Sequence, residues 1–178
     1  MDHDPVNAFD LDYALLELGI TNSMQKACRL PRCLDAPQLV NAGDDMFGRP
    51  QQMTAETERA WVDMKTRALQ QQGIELLLVS AFRSTEYQCS VIKQKLDEGR
   101  TIEDVLLVNA IPGYSEHHTG RAIDLHAGDC EPLNIDFEIQ PAFQWLCRNA
   151  GKFDFQLSYP RDNPGGIDYE PWHWCFLP

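Results

Sequence analysis

The sequence predicts an α+β fold in which helices flank a small, mostly antiparallel sheet. Apolar residues recur at helical spacing in several segments, and short apolar or alternating runs lie between these segments. The helical and extended segments follow one another without the regular strand–helix–strand rhythm of a parallel α/β sheet. A chain of 178 residues can bury a core, so we expect a single domain.

The first 50 residues carry the weakest pattern. Leucines between positions 11 and 18 predict a short helix that ends at Gly19. Five proline or glycine residues between positions 31 and 50 predict irregular chain that wraps the remainder. The predicted domain therefore consists of an N-terminal helix with irregular wrapping, residues 1–50, and a core that covers residues 54–176.

Stronger signals begin at Thr54, which can cap a helix that ends at Gly73. Residues 74–79 form a short apolar run, which is typical of a buried strand. The remaining predicted elements are helices at 87–98, 101–108 and 141–150 and strands at 121–126, 153–159 and 167–177.

The charge balance excludes nucleic acid as a partner. The chain has 15 Lys and Arg against 27 Asp and Glu, a formal net charge of −12, and no basic stripe to neutralise phosphates. No apolar run approaches the roughly 18 residues that span a bilayer, so no transmembrane segment is predicted. Residues 1–5 are polar and acidic, unlike a secretory leader, and predict a cytoplasmic protein.

The six cysteines are spread along the chain without a Cys-x-x-Cys pair. This spacing does not indicate a zinc–cysteine site. Buried thiols are the expectation for a cytosolic chain, whereas an oxidising compartment would permit three disulfides.

Two polar motifs indicate chemistry. Residues 115–124 read SEHHTGRAID, and residues 170–173 read EPWH. Together they contain His117, Asp124 and His173, and two imidazoles with one carboxylate suit a divalent ion such as zinc, with a fourth position open. The motifs therefore predict a three-ligand metal site.

Metal-assisted hydrolysis also needs a base and a group that stabilises the developing oxyanion. Glu170 is the candidate base, and Arg83, which leaves a predicted buried strand at a turn, is the candidate cation. Pro171 favours an extended conformation at Glu170, and in a regular strand positions 170 and 173 face opposite ways. A turn or bulge is needed if both are to meet one metal ion.

Each histidine has a simpler alternative. His117 taken alone fits a surface position, and His173 between two tryptophans fits a core histidine. Asp124 is harder to explain without a partner, because burial of a lone carboxylate is costly. His118 and His126 fit surface or packing positions. Support of a metal ligand is the alternative for His126, which shares the predicted strand face of Asp124.

Taken together, these residues resemble the zinc D-alanyl-D-alanine carboxypeptidase family, the VanY type of the LAS metallopeptidases. The matching elements are SxHxxGxAxD at 115–124, ExWH at 170–173, and FRS at 82–84 followed by Gln88. They occur in the order found in that family and span roughly residues 54–176, so the resemblance implies that this core is a peptidase domain of the LAS fold.

The resemblance implies a role for each of seven residues. It implies zinc binding by His117, Asp124 and His173, and general-base catalysis by Glu170. It also implies oxyanion stabilisation by Arg83 and binding of the substrate's C-terminal end by Ser115 and Gln88. The implied reaction removes the last D-alanine from peptidoglycan stem peptides or muropeptides, as a D,D- or L,D-carboxypeptidase.

Other functions stay open at this point. A non-catalytic, zinc-stabilised module that binds cell-wall peptides and a phage-type peptidoglycan endopeptidase are the alternatives. Action in the periplasm or at the cell wall is the alternative to the cytoplasm, because the substrate implied by the resemblance lies outside the membrane. The sequence departs from the family after His173, where it reads Trp174-Cys175-Phe176, and it lacks a basic residue in the strand that leads to Tyr159.

Overall fold

A computed structural model describes residues 9–178 and contains helices together with two antiparallel sheets. Its helices are α1 (Leu11–Glu17), α2 (Asn22–Ala27), α3 (Ala55–Gln72), α4 (Thr85–Asp97), α5 (Ile102–Leu107) and α6 (Pro141–Asn149). Its strands are β1 (Val40–Asp44), β2 (Pro50–Met53), β3 (Leu77–Ser80), β4 (Ala122–His126), β5 (Phe155–Leu157) and β6 (His173–Phe176). The α+β prediction is confirmed.

The larger sheet has the strand order β3-β4-β6-β5, and every pairing in it is antiparallel. Strand β4 is central, and all five of its residues are buried. Its register with β6 places Asp124 directly opposite His173. Side chains opposite each other on paired strands lie close together, so this register joins two motifs that are far apart in sequence.

Alternate residues of β4 serve the two faces of the sheet. Ile123 and Leu125 belong to the main apolar core, which also contains Trp61 of α3 and Trp145 of α6. Asp124 lies on the opposite face, as the period of two residues predicts. One strand thus anchors the fold on one face and carries a functional side chain on the other.

Helix α3 begins and ends where the sequence predicts. The Thr54 hydroxyl accepts a hydrogen bond from the Thr57 backbone N–H at 3.3 Å, which caps the first turn. Gly73 ends the helix with a φ of +65°, a left-handed conformation that glycine adopts without steric cost.

The prediction of irregular wrapping up to residue 50 is wrong in part. Helix α1 is confirmed, but α2 follows it, and β1 pairs with β2 in an antiparallel hairpin. Both were missed because α2 is short and mostly polar, and β1 contains a single branched apolar residue, Val40. Residues 1–8 of the predicted segment, including the acidic N-terminus, lie outside the described residues.

The strands of the larger sheet are also shorter than predicted, and the predicted strand 153–159 covers only Phe155–Leu157. Strand β3 starts at Leu77 instead of residue 74, and the last strand covers only His173–Phe176 of the predicted run 167–177. The preceding residues form a turn, in which the His173 backbone N–H donates to the Glu170 carbonyl oxygen at 3.1 Å. This turn allows the side chains of Glu170 and His173 to face the same site, whereas in a regular strand they would point in opposite directions.

The six cysteines, all within residues 9–178, are unpaired thiols, and three of them are buried. The expectation of buried thiols therefore holds for Cys33, Cys89 and Cys175, whereas Cys147 is exposed. Among the helices of the described part of the chain, none combines the length and apolar character needed to cross a membrane.

Candidate active site

Three buried side chains from separate elements converge on one point. His117 lies in a 3₁₀ turn, Glu116–Thr119, Asp124 lies on β4 and His173 begins β6. One donor atom from each of the three lies within 4.8 Å of the other two. The structure therefore brings together the three predicted metal ligands.

Hydrogen bonds determine which ring nitrogen of each histidine faces the centre. His117 donates from Nδ1 to the Ala81 carbonyl oxygen at 2.6 Å, which leaves Nε2 to face an Asp124 oxygen at 3.2 Å. His173 donates from Nε2 to Glu116 at 2.9 Å, which leaves Nδ1 to face the other Asp124 oxygen at 3.0 Å. Nε2 of His117 and Nδ1 of His173 thus face the two oxygens of one carboxylate, an arrangement that suits a shared cation.

The electrostatics of the three residues also suit a cation. Burial alone would raise the pKa of Asp124, but the His117 and His173 rings beside it hold that pKa well below its ordinary value. Burial alone would lower the pKa of His173, but hydrogen bonds to Asp124 and Glu116 raise it to about 10. Positive charge is therefore favoured among these donors, and the residues fit a divalent metal ion such as zinc.

Glu170 lies beside the three donors on the turn before β6. One of its carboxylate oxygens is 3.8 Å from Nδ1 of His173, and its side chain is 15% exposed. Burial raises the pKa of Glu170 to about 7, although the charge of His173 opposes this shift. A partly accessible carboxylate with such a pKa is suited to accept and return a proton near neutral pH.

Arg83 reaches the same cleft from the end of β3. Its backbone N–H donates to the His117 carbonyl oxygen at 3.2 Å, and its carbonyl oxygen accepts from Nδ1 of His118 at 2.6 Å. Its Nε is buried and has no hydrogen-bond partner among the described residues. The backbone contacts fix Arg83 beside the metal ligands, and its guanidinium retains donors for a ligand.

These side chains line a cleft of about 460 Å³. Ser115 lines it as well and is 4% exposed, so the structure brings this predicted substrate-binding residue to the site. Gln88 is different. It is fully buried on α4, does not line the cleft, and donates to the carbonyl oxygen of Ala110, a residue of the cleft wall, at 3.0 Å.

Two residues beside the metal ligands were not predicted. Glu116 orients His173, and the ring of Tyr159 packs against the His173 ring with a centroid distance of 4.7 Å. The position of Glu116 directly before His117 was visible in the sequence, but its partner lies 57 residues away. Only the folded chain shows that contact.

The other two histidines of the motif region, His118 and His126, are buried and are not among the metal donors. His118 is fully buried, donates to Arg83, and accepts a hydrogen bond from the Gly113 backbone N–H at 3.1 Å. His126 is buried on β4 near Cys130, outside the group of metal donors. For both residues, burial excludes the surface position that the sequence left open.

Two imidazoles, a carboxylate and an adjacent glutamate form the ligand set and base of a metallohydrolase. The family model for D-alanyl-D-alanine carboxypeptidase, VanY, matches residues 50–178, which is more than half of the chain. The chain therefore belongs to this family, and the resemblance inferred from the motifs is confirmed.

Individual relatives agree with this assignment. A D-alanyl-D-alanine carboxypeptidase of Enterococcus faecalis is 27% identical over 115 residues, which cover 59% of this chain and 41% of that protein. The structure of the LdcB LD-carboxypeptidase matches with a TM-score of 0.71 and 28% identity over 81% of this chain and 70% of that one. The chain thus spans about two fifths of the length of the enterococcal relative.

A second similar structure is that of a variant of the vancomycin-resistance D,D-pentapeptidase VanY in complex with Zn(II). It matches with a TM-score of 0.63 and 24% identity over 84% of this chain and 83% of that one. At this identity the likeness concerns the fold, and it confirms the LAS-type α+β architecture.

Proposed function

We propose that this protein is a zinc metallopeptidase that removes the C-terminal D-alanine from peptidoglycan stem peptides, as a D,D- or L,D-carboxypeptidase. The observation that carries the proposal is the convergence of His117, Asp124 and His173 beside Glu170 in one cleft. Membership of the VanY family and similarity to a structure described as containing Zn(II) support both the reaction and the metal.

The three donors would hold zinc through Nε2 of His117, the carboxylate of Asp124 and Nδ1 of His173. Zinc in such a site acidifies water and polarises a carbonyl group. Ala81 and Glu116 fix the orientation of the two imidazoles through hydrogen bonds of 2.6 and 2.9 Å, so the donors need little rearrangement.

Glu170 provides the proton transfers. Its carboxylate accepts a proton from the attacking water as the new C–O bond forms, and it delivers that proton to the amine nitrogen as the peptide C–N bond breaks. The products are a shortened peptide and free D-alanine. Arg83 donates N–H groups to the carbonyl oxygen while negative charge develops there, and Ser115 lines the wall of the same cleft.

Mass spectrometry of tetrapeptide and pentapeptide muropeptides incubated with the zinc-loaded protein tests this function. We expect loss of a single terminal D-alanine, and the preferred peptide length separates L,D- from D,D-activity. Cleavage within cross-links would instead indicate an endopeptidase. Binding without any cleavage would indicate a non-catalytic module.

Glu170→Ala tests the base directly. We expect this variant to keep its zinc and to lose roughly 10²- to 10⁴-fold in turnover, the usual contribution of a positioned general base. Glu131, which is exposed and lies outside the cleft, provides the matched control Glu131→Ala with unchanged turnover. Full activity of Glu170→Ala would refute the mechanism.

A further inference from the structure

Two basic side chains line the cleft, and the proposed mechanism uses one of them. Among the cleft-lining residues of the described chain, these are Arg83 and Lys95. Arg83 lies next to the metal ligands, whereas Lys95 reaches the cleft from α4 and is half-buried. The role of this second cation is the subject of the inference.

Lys95 is held in place by a buried amide. Its ammonium donates to Oδ1 of Asn109 at 3.1 Å, and Nδ2 of Asn109 donates to the Val105 carbonyl oxygen at 2.9 Å. Because the amide nitrogen is engaged at the end of α5, the amide oxygen is directed at Lys95. Asn109 is 8% exposed and also lines the cleft.

The Lys95 ammonium has donors to spare. An ammonium carries three N–H bonds, and Asn109 accepts one of them. Within residues 9–178, Lys95 forms no ion pair with a carboxylate, whereas Lys93 on the same helix is exposed and contacts Asp97 at 2.9 Å. Lys93 is a solvated surface lysine, and Lys95 is a positioned cation without an anionic partner.

The proposed substrate supplies a suitable anion. In a peptide cleaved before its last residue, three bonds separate the terminal carboxylate carbon from the scissile carbonyl carbon, a distance of at most about 4 Å. The carboxylate must therefore enter the cleft that already contains Asp124 and Glu170. A cation in that cleft is needed to offset their repulsion.

The surroundings of Lys95 agree with such a partner. Burial lowers the pKa of Lys95, as do the positive charges of Arg100 and Arg83, whereas the carboxylates of Glu98 and Glu170 oppose this shift. A further anion beside the ammonium would stabilise its charged form. Gln88, which the family resemblance implies as a contact for the C-terminal end, lies about two helical turns before Lys95 on the same face of α4. Gln88 supports the wall at Ala110, while Lys95 extends into the cleft.

We propose that Lys95 binds the terminal carboxylate of the substrate and thereby restricts cleavage to the last residue of a peptide. The assignment rests on the proposed carboxypeptidase function and names a specificity-determining residue for it. Lys95 contacts the substrate and takes no part in the proton transfers.

The test compares Lys95→Met with the control Lys93→Met, using a synthetic stem peptide with a free terminal carboxylate and the same peptide ending in an amide. We expect Lys95→Met to lower kcat/KM for the free acid roughly 10- to 100-fold, as expected for loss of a hydrogen bond between charged groups. Its effect on the amide should be less than about threefold, because that peptide lacks the anion. Lys93→Met should change neither value.

Several results would overturn the assignment. The first is an equal loss of kcat/KM on both peptides, and the second is no loss on either peptide. The third is an unchanged acid-to-amide ratio together with a changed preference for an acidic residue upstream of the scissile bond. Zinc content and the unfolding temperature of each variant show whether the fold is intact.

Calorimetry separates this inference from the proposed function. Zinc-loaded Glu170→Gln is titrated with the free acid and with the amide, with and without Lys95→Met. If the wild type hydrolyses neither peptide, the proposed function fails, and the binding data still decide the role of Lys95. If Glu170→Gln, which retains Lys95, binds the free acid and the amide with equal affinity, the proposed role of Lys95 is refuted.

Discussion

Glu116 is not one of the predicted metal ligands, but it orients one of them, His173. It accepts a hydrogen bond from Nε2 of His173 at 2.9 Å, and Asp124 faces the other ring nitrogen at 3.0 Å. Burial would raise the pKa of Glu116, but the contact with His173 lowers it, so the carboxylate is ionised at neutral pH. The Glu116 carboxylate thus holds Nε2 of His173, and Nδ1 of the same ring faces the metal site.

Replacement of Glu116 should weaken metal binding without removal of a ligand. For Glu116→Gln we expect a zinc affinity roughly 10- to 100-fold lower, the usual effect of losing a partner that orients a metal-bound histidine. Competition with a chromophoric chelator measures this affinity, and Glu131→Gln is the control. An unchanged affinity would show that Glu116 does not orient His173.

At the scale of elements, the β1–β2 hairpin supports the metal site from a distance. Gln51 accepts a hydrogen bond from the Ala81 backbone N–H at 2.9 Å, and the Ala81 carbonyl oxygen accepts from His117 at 2.6 Å. The turn of the hairpin is built around Asp45, whose side chain is fully buried. Asp45 accepts from the backbone N–H groups of Phe47 and Arg49 and from the Arg49 and Gln51 side chains.

We expect Asp45→Asn to destabilise the fold in a pH-dependent way. Burial would raise the pKa of Asp45, but hydrogen bonds and the charge of Arg49 lower it below the ordinary value of about 3.9. The ionised form therefore stabilises the fold above about pH 4, and this contribution is lost as the pH falls through the folded-state pKa.

The free energy of unfolding at pH 7 should decrease by about 2 kcal/mol in Asp45→Asn, as expected for lost hydrogen bonds to a charged group. Denaturant unfolding should show a smaller difference from the wild type as the pH is lowered toward 3. The exposed Asp63 on α3 provides the control Asp63→Asn. A difference that is the same at both pH values would contradict the role of the charge.

At the scale of the whole molecule, the cleft lies between two apolar clusters. The main core packs α3 and α6 against the larger sheet, and a second cluster joins α1 to α4 and α5 through Leu15, Ile92 and Val105. One wall of the cleft comes from α4 and the chain after α5, and the other comes from β4, β6 and the Glu170 turn. A ligand that binds in the cleft therefore contacts both parts.

Zinc should stabilise the whole fold. A ligand present at about 100 times its dissociation constant adds about 2.7 kcal/mol, and for a domain of this size that raises the unfolding temperature by roughly 5–10 °C. Calorimetry of chelator-treated and zinc-restored protein measures the shift. His173→Ala should show little zinc dependence, and an equal shift in that variant would place the stabilising ion elsewhere.

Local patterns in the sequence predicted a large part of this protein. The α+β class, the cap and end of α3, and the three residues that converge as metal donors all follow from residue types and spacing. The needs of metal-assisted hydrolysis pointed to Glu170 and Arg83, and the structure places both beside those donors. The family motifs added Ser115, which lines the cleft, and Gln88, which does not. These features depend on side chains within a few positions of one another or on motifs with characteristic residues.

Tertiary structure alone decided the rest. The pairing of Asp124 with His173, the contact of Glu116 with His173 and the entry of Lys95 into the cleft join residues on separate elements. The turn that brings Glu170 to His173 replaces a strand that the local sequence favours. Contacts of this kind depend on strand register and on the packing of α4 against the core, and no local period of apolar residues encodes them.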